Sequence, residues 1–381
     1  MRREVIYLDN AATSWPKPKR VTDAMTRFLV EEAGSPDRAG HSMSVAAGRV
    51  VQDVRVKLAR LFNVDDPRRI IHCFNCTDAL NIALKGSLRD GDHVICTELE
   101  HNSISRPLQA MAIAGVITLT RLPVDNQGFV DPDTVRGAIT PATRLIATLH
   151  AGNVTGIIQP VAEIGHMARE RDLLFVLDAA QSVGVLDVDV RAMNIDLLAF
   201  PGHKSLLGPT GTGGLYVGPR ATLRPFREGG TGAESAPPTQ PEELPTRLEG
   251  GTPNTAGLAG LDAAVDGLDP GQALAHEQQL VERLVEAVSD DPRIQILGNW
   301  SPSRCVPVVS LLIRDLSPVD AAAILDESFR IAVRPGLHCA PYIHRALGTF
   351  PDGTVRVSPG WSTTTKEIDQ LVSALREMAT A

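Results

Sequence analysis

No stretch of this chain approaches the roughly 18 uninterrupted apolar residues that a membrane span requires, which argues against a helical membrane protein. The start, Met1-Arg2-Arg3-Glu4, is followed by just four apolar residues, Val5 to Leu8, too few for the core of a signal peptide. Basic runs are missing as well. Lys and Arg total 37 against 45 Asp and Glu, a formal net charge of −8, so the footprint that a nucleic-acid backbone demands is absent. Cysteine is sparse and odd in number: Cys73, Cys76, Cys96, Cys305 and Cys339. Without an export signal they do not make a disulfide framework, and each is either a core thiol or a reactive one. The expectation is a soluble cytoplasmic protein with no nucleic-acid and no membrane partner.

What is present is a chain of 381 residues, 43% apolar, with 32 Gly and 27 Pro set among short apolar runs. That composition suits an α/β enzyme with many tight strand-to-helix turns. Within 43–62, Val50, Val54, Leu58 and Leu61 form one apolar stripe at helical spacing. A buried strand is expected over 69–74, then the polar turn Asn75-Cys76-Thr77-Asp78 and a helix, a combination that makes an anion site. Further short strands are expected at 93–96, 116–122, 145–149, 173–177, 197–200 and 214–217, separated by helical segments. The rhythm predicts a mainly parallel sheet with ligands at the carboxyl ends of its strands. Prolines at 237, 238, 241 and 245 make that segment a loop, a flap or an interface. Beyond Gly257 longer helices take over. The expected division is a large domain over 14–256 and a small one from 1–13 and 257–381.

Three predicted strands end in polar residues: His150-Ala-Gly-Asn153, Leu177-Asp178-Ala-Ala-Gln181 and Phe200-Pro-Gly-His203-Lys204. Together they place a site at one sheet edge. Lys204, followed by Gly208, Gly211, Gly213 and Gly214, suits a Schiff-base lysine with glycines that let a ligand approach the backbone; the alternative is a surface lysine beside a glycine turn. Asp178 closes an apolar run and needs a cation or donor to compensate it, unless it caps a following helix. Gln181, one helical turn on, returns to the same face or is an ordinary surface glutamine. Cys73-Phe-Asn-Cys76 has half-zinc spacing but no second ligand pair, so no metal is expected and Cys76 is assigned to the anion turn.

Leu8-Asp9-Asn10-Ala11-Ala12-Thr13, Glu98-Leu-Glu100-His101-Asn102, Asp178-Ala-Ala-Gln181, Gly202-His203-Lys204, Gly251-Thr252-Pro253-Asn254 and Arg334-Pro-Gly-Leu-His338-Cys339-Ala340 stand in the order and approximate spacing of the class V aminotransferases. The chain resembles that family over nearly its whole length, and within it the cysteine desulfurase and selenocysteine lyase branch. The resemblance implies a pyridoxal 5'-phosphate enzyme of fold type I: a seven-stranded, mainly parallel sheet with helices on both faces plus a smaller α+β C-terminal domain. It also implies a homodimer with both sites at the subunit interface. By position, Lys204 matches the lysine that carries the cofactor and moves protons, Asp178 the carboxylate on the ring nitrogen, and His101 the imidazole stacked on the ring. Asn153 and Gln181 match polar contacts to cofactor and substrate. Cys76, Thr77 and Asp78 match the phosphate turn, His203 a further phosphate donor, and Thr252 a donor from the other subunit. The family's serine three residues before the lysine is Pro201 here, so phosphate binding must lean more on Thr77, His203 and the helix start.

Cys339 follows Arg334 by five residues and His338 directly, in a Gly- and Pro-flanked loop whose cationic neighbours favour thiolate. It is the candidate nucleophile, with a buried structural thiol as the alternative; Cys73, Cys96 and Cys305 sit in apolar runs and read as core. Arg334 is the candidate fork for a substrate carboxylate. Arg356 and His41 match further family positions near the substrate, and Arg356 is otherwise a solvated strand arginine. The implied reaction takes sulfur from L-cysteine, leaving L-alanine and an enzyme persulfide. Selenocysteine lysis, sulfinate removal, epimerisation and transamination share these residues and stay open. The segment resembles the branch with a short, structured cysteine loop, which hands sulfur to a small acceptor protein for uses such as iron–sulfur cluster assembly.

Overall fold

Runs that are apolar at every position become strands buried on both faces, because alternate side chains then need a cover above and below the sheet. The computed structural model, which describes residues 5–36, 40–232 and 236–380, has seven strands in one sheet, six of them buried along nearly their whole length and the edge strand Ile117–Leu122 partly exposed. Their order is Ile70–Cys73, Gly213–Val217, Leu197–Pro201, Leu174–Asp178, Thr143–Leu149, Asp92–Thr97 and Ile117–Leu122. Gly213–Val217 runs antiparallel to both neighbours and the other pairings are parallel. Within Leu174–Asp178 the alternation is plain: Phe175 and Leu177 join the core on one face, with Val54, Leu58 and Phe200, while Leu174 and Val176 join the other, with Leu80, Val94 and Leu145. The sheet thus has the mainly parallel, doubly covered form expected from the sequence.

Parallel strands end at the same edge, so the polar residues that follow them converge without long-range coding in the sequence. Asp178 closes one such strand, and Asn75, the 98–101 turn, His150–Asn153 and His203–Lys204 follow the ends of others.

A second sheet, antiparallel, has the order Arg334–Gly336, Thr354–Val357, Val309–Ile313 and Ile294–Ile296. Leu280, Leu284, Leu325, Ile368, Leu371 and Leu375 from three helices close its core. The N-terminal strand Ile6–Tyr7 pairs in parallel with Ile331–Ala332, and Asp9 bridges to Ser358. Ile6 and Leu8 therefore pack in this second core, which sets Asp9–Ala12 between it and the large sheet. The helix Thr255–Asp266 packs on Lys19–Arg27 and Ser42–Leu61, with Leu258 and Leu261 in the large core, so by packing it goes with the large sheet although it extends past residue 256.

Two of the glycines after Lys204 are required by packing within the protein. A Cβ at Gly208 would lie 2.7 Å from the Gly202 carbonyl oxygen, and one at Gly214 would lie 2.4 Å from the Phe200 ring. These two glycines permit close packing of the protein on itself. Among the described residues no helix is long and apolar enough to cross a membrane.

On the helix Ser42–Leu61, Arg55 is buried beside the first strand, where it donates to the Ile70 carbonyl and to both Glu249 carboxylate oxygens at 2.9 and 3.0 Å. Glu249 also accepts from the His72 backbone N–H at 2.6 Å. Replacing Glu249 by alanine strands a buried guanidinium, and the expected loss is about 3–5 kcal/mol, read as a lower urea midpoint at unchanged slope. An unchanged midpoint would show the pair to be dispensable.

Candidate active site

Helix Cys76–Ser87 begins directly after the strand Ile70–Cys73, and Asn75 caps it by accepting the Asp78 N–H at 2.9 Å. The N–H groups of Cys76 and Thr77 have no carbonyl one turn earlier, so they remain for an anion together with the positive helix end. Asp78 departs from the expected phosphate turn. Its N–H is taken by Asn75, and its carboxylate accepts from Phe74 N–H at 3.0 Å and pairs with Arg227 at 2.8 Å, away from the cavity.

That cavity, about 200 Å³, is lined by Cys76, Thr77, His101, Asn153, Asp178, Gln181, His203, Lys204, Arg334 and Arg356, which brings together most of the sequence candidates. Asp178 is buried; its Oδ1 accepts the Ala180 N–H at 2.9 Å and the Cys76 thiol at 3.3 Å. No helix follows it: residues 180–182 form turns. Gln181 thus reaches the cavity from a turn, not a helical face, and its Nε2 donates to the Ala11 carbonyl at 3.1 Å. Burial pulls the Lys204 amine down to about 8, Asp178 opposing and Arg356 reinforcing the effect. An amine so shifted is partly unprotonated near neutrality and able to act as a nucleophile or base. Burial, with Lys204 and Lys17 nearby, likewise lowers His203 to about 4, so its imidazole is neutral.

Cys339 lies beside the cavity, half-buried, its sulfur accepting from Arg334 Nη2 at 3.4 Å and its backbone held next to His101 by the Asn102 N–H. Contact with His101 and with Arg334 outweighs desolvation and lowers the thiol to about 6. Cys73, Cys76, Cys96 and Cys305 are buried, and burial raises all of them. The Cys339 loop is tied down: Asn102 N–H donates to the Cys339 carbonyl and Asn153 Nδ2 to the His338 carbonyl, both at 2.7 Å. His338 and Cys339 have φ of 49° and 59°, a left-handed pair of non-glycine residues held by these contacts.

Arg334 and Arg356 are register partners on adjacent strands and both line the cavity. Arg356 is not a solvated strand arginine. It is 1% exposed, pairs with Asp9 at 2.7 Å and donates to the Asn153 carbonyl at 3.2 Å. Asp9 was visible in the sequence only as part of a motif; its partner is supplied by the distant strand Thr354–Val357.

Two candidates lie elsewhere. His41 is exposed and caps the helix Ser42–Leu61, its Nδ1 accepting the Ser44 N–H at 3.2 Å; residues 37–39, just before it, lie outside the described part. Thr252 is exposed and borders a separate cavity of about 390 Å³ with Arg55, His72 and Glu249. Sequence reasoning missed Ser103, which lines the main cavity; a lone serine two residues after a histidine carries no signal until its neighbours are known.

The donor set fits a flat aromatic aldehyde phosphate. Free helix-start N–H groups suit the phosphate, and the buried Asp178 carboxylate suits a ring cation. Lys204 suits the aldehyde, while Asn153 Oδ1 and His203 Nδ1 are buried without protein partners. Among the described residues no three His, Cys, Asp or Glu side chains are grouped to hold a metal ion.

The class V aminotransferase model matches residues 6–371. A probable cysteine desulfurase of Methanothermobacter thermautotrophicus is 36% identical, across 99% of this chain and 95% of that protein. A cysteine desulfurase of Serratia proteamaculans is 33% identical, across 98% and 93%. The solved apo structure of a cysteine desulfurase from Thermococcus onnurineus superposes with a TM-score of 0.92 at 32% identity, covering 99% of this chain and 95% of that one. Since the family pattern, its fold and a cavity ringed by its motif residues coincide along nearly the full length, this chain belongs to the class V aminotransferase family.

Proposed function

We propose that this protein is a pyridoxal 5'-phosphate-dependent cysteine desulfurase: L-cysteine leaves as L-alanine and its sulfur stays on Cys339 as a persulfide. The observation that carries this reading is the Cys339 sulfur, held between His101 and Arg334 beside a cavity that contains Lys204 and Asp178. When bound, the cofactor supplies an electron-withdrawing ring that acidifies the substrate Cα–H. Asp178 would hold the ring nitrogen, the N–H groups of Cys76 and Thr77 with His203 would hold the phosphate, and His101 would cover the ring. Lys204 takes the Cα proton at Nζ, a role suited to an amine lowered to about 8. Arg334 orients the substrate carboxylate; Arg356, partly neutralised by Asp9, stiffens its neighbour and adds positive potential. The Cys339 thiolate attacks the substrate sulfur: an S–S bond forms, the carbon–sulfur bond breaks, and the carbon keeps the electron pair and takes up a proton.

The reading extends to a cytoplasmic homodimer. Its support is Thr252, exposed and outside the cavity of its own chain, where a donor for a second copy would stand. His41, exposed at a helix start, is assigned to the substrate side of the site only within such an assembly. The persulfide on a half-buried thiol is open to a small acceptor protein, with iron–sulfur cluster assembly as one destination.

With purified protein and L-cysteine, alanine and sulfide should appear together, and Cys339→Ala should fall to background while retaining bound cofactor. A variant as active as the parent would refute the nucleophile. Asp178→Asn removes the charge on the ring nitrogen and should lower kcat by about 10²-fold or more at unchanged fold. The thiolate is the attacking form, so kcat should fall as pH drops through about 6, where Cys339 takes up its proton. A flat profile to pH 5 would place the limiting ionisation elsewhere.

A further inference from the structure

His101 opens the helix Asn102–Ile113 and caps it with its own ring: the Ser103 backbone N–H donates to His101 Nδ1 at 3.1 Å. An amide N–H can only donate, so Nδ1 is the bare nitrogen and the proton of the neutral imidazole sits on Nε2. Ser103 Oγ stands 2.8 Å from the same Nδ1, a contact that only its O–H can make by donating. Having spent its proton there, Ser103 Oγ must accept from Thr77 Oγ1, 2.7 Å away at the start of the helix Cys76–Ser87. The direction of every hydrogen bond is thereby fixed, from Thr77 through Ser103 to His101. The remaining ring N–H is then free for the Cys339 sulfur, whose backbone the Asn102 N–H holds next to His101.

We propose that Ser103 is a positioning residue for the sulfur nucleophile: with Thr77 it locks His101 in the Nε2–H form and presents that N–H to Cys339, holding the sulfur ready as thiolate. The inference rests on Cys339 being the nucleophile for its purpose, but not for its test. Donation into Nδ1 draws electron density from the ring and strengthens the opposite N–H as a donor. The other groups that face the thiol are Arg334 and Arg356, on adjacent strands, and both are independent of Ser103. Asn102 N–H, one residue from Ser103, holds the Cys339 carbonyl at 2.7 Å, so the helix start that carries the relay also fixes the position of the sulfur.

The experiment follows iodoacetamide modification of Cys339 in the full, cofactor-loaded chain from pH 4 to 9, with the site identified by mass spectrometry. The parent should reach half its maximal rate near pH 6. Ser103→Ala should move that midpoint upward, slowing modification at pH 6 by about two- to five-fold while leaving the high-pH plateau unchanged. Ser103→Thr, which keeps the hydroxyl, should restore the parent profile. A loosened loop would alter the plateau and not the midpoint. Coincident profiles for the parent and Ser103→Ala would overturn the relay. A ¹⁵N spectrum of the parent that places the His101 proton on Nδ1 would do the same, even if the variants failed to fold. Activity of Cys339→Ala decides the desulfurase reading separately, since the modification profile needs no turnover.

Discussion

A carboxylate at the end of a fully buried strand is the constraint around which the site is organised. Asp178 is 4% exposed, and an ionised carboxylate so placed is costly unless donors and positive charge surround it. The Ala180 N–H and the Cys76 thiol meet one oxygen, and Lys204 and the helix start at Cys76 belong to the same cavity. Ala180 follows the strand that carries Asp178, and Cys76 and Lys204 follow the ends of strands that run in the same direction. The parallel sheet is thus what makes the buried charge tolerable, and the cavity follows from its geometry.

Opposite this edge, the second sheet contributes cations and a thiol. Arg334 and Arg356 stand side by side on neighbouring strands, an arrangement that repels unless an anion intervenes. Asp9 meets part of that demand from the N-terminal segment, which is pinned by its pairing with Ile331–Ala332. The rest of the positive potential falls on Cys339. A half-buried thiol lowered to about 6 stands in contrast to the four buried cysteines, whose thiols burial pushes up, and the difference lies in neighbours and not in the residue type.

Much of this was legible in the sequence because it is local. The apolar runs closed by polar turns specify the strands, Asn75 before Cys76-Thr77 specifies a capped helix, and the ordered motifs bring the family's chemistry with them. Readings that depended on what lies across the cavity fared differently. Arg356 looks like any alternating strand residue until its burial against Asp9 is known, and two of the glycines after Lys204 look like room for a ligand until Phe200 and the Gly202 carbonyl are found there. Asp78 fits a phosphate turn by position alone, yet Asn75 and Arg227 claim it.

By itself the sequence determined which chemical groups are available and in what order, since identity and spacing along the chain decide helix starts, strand ends and motif membership. Only the tertiary structure decided which of those groups meet. His101 and Cys339 come from segments far apart in the chain, and nothing local to either tells that the two meet. The physical reason is that thiol acidity and ring tautomer are set by distances of a few ångströms and by exclusion of water, quantities that exist only after the two sheets have packed.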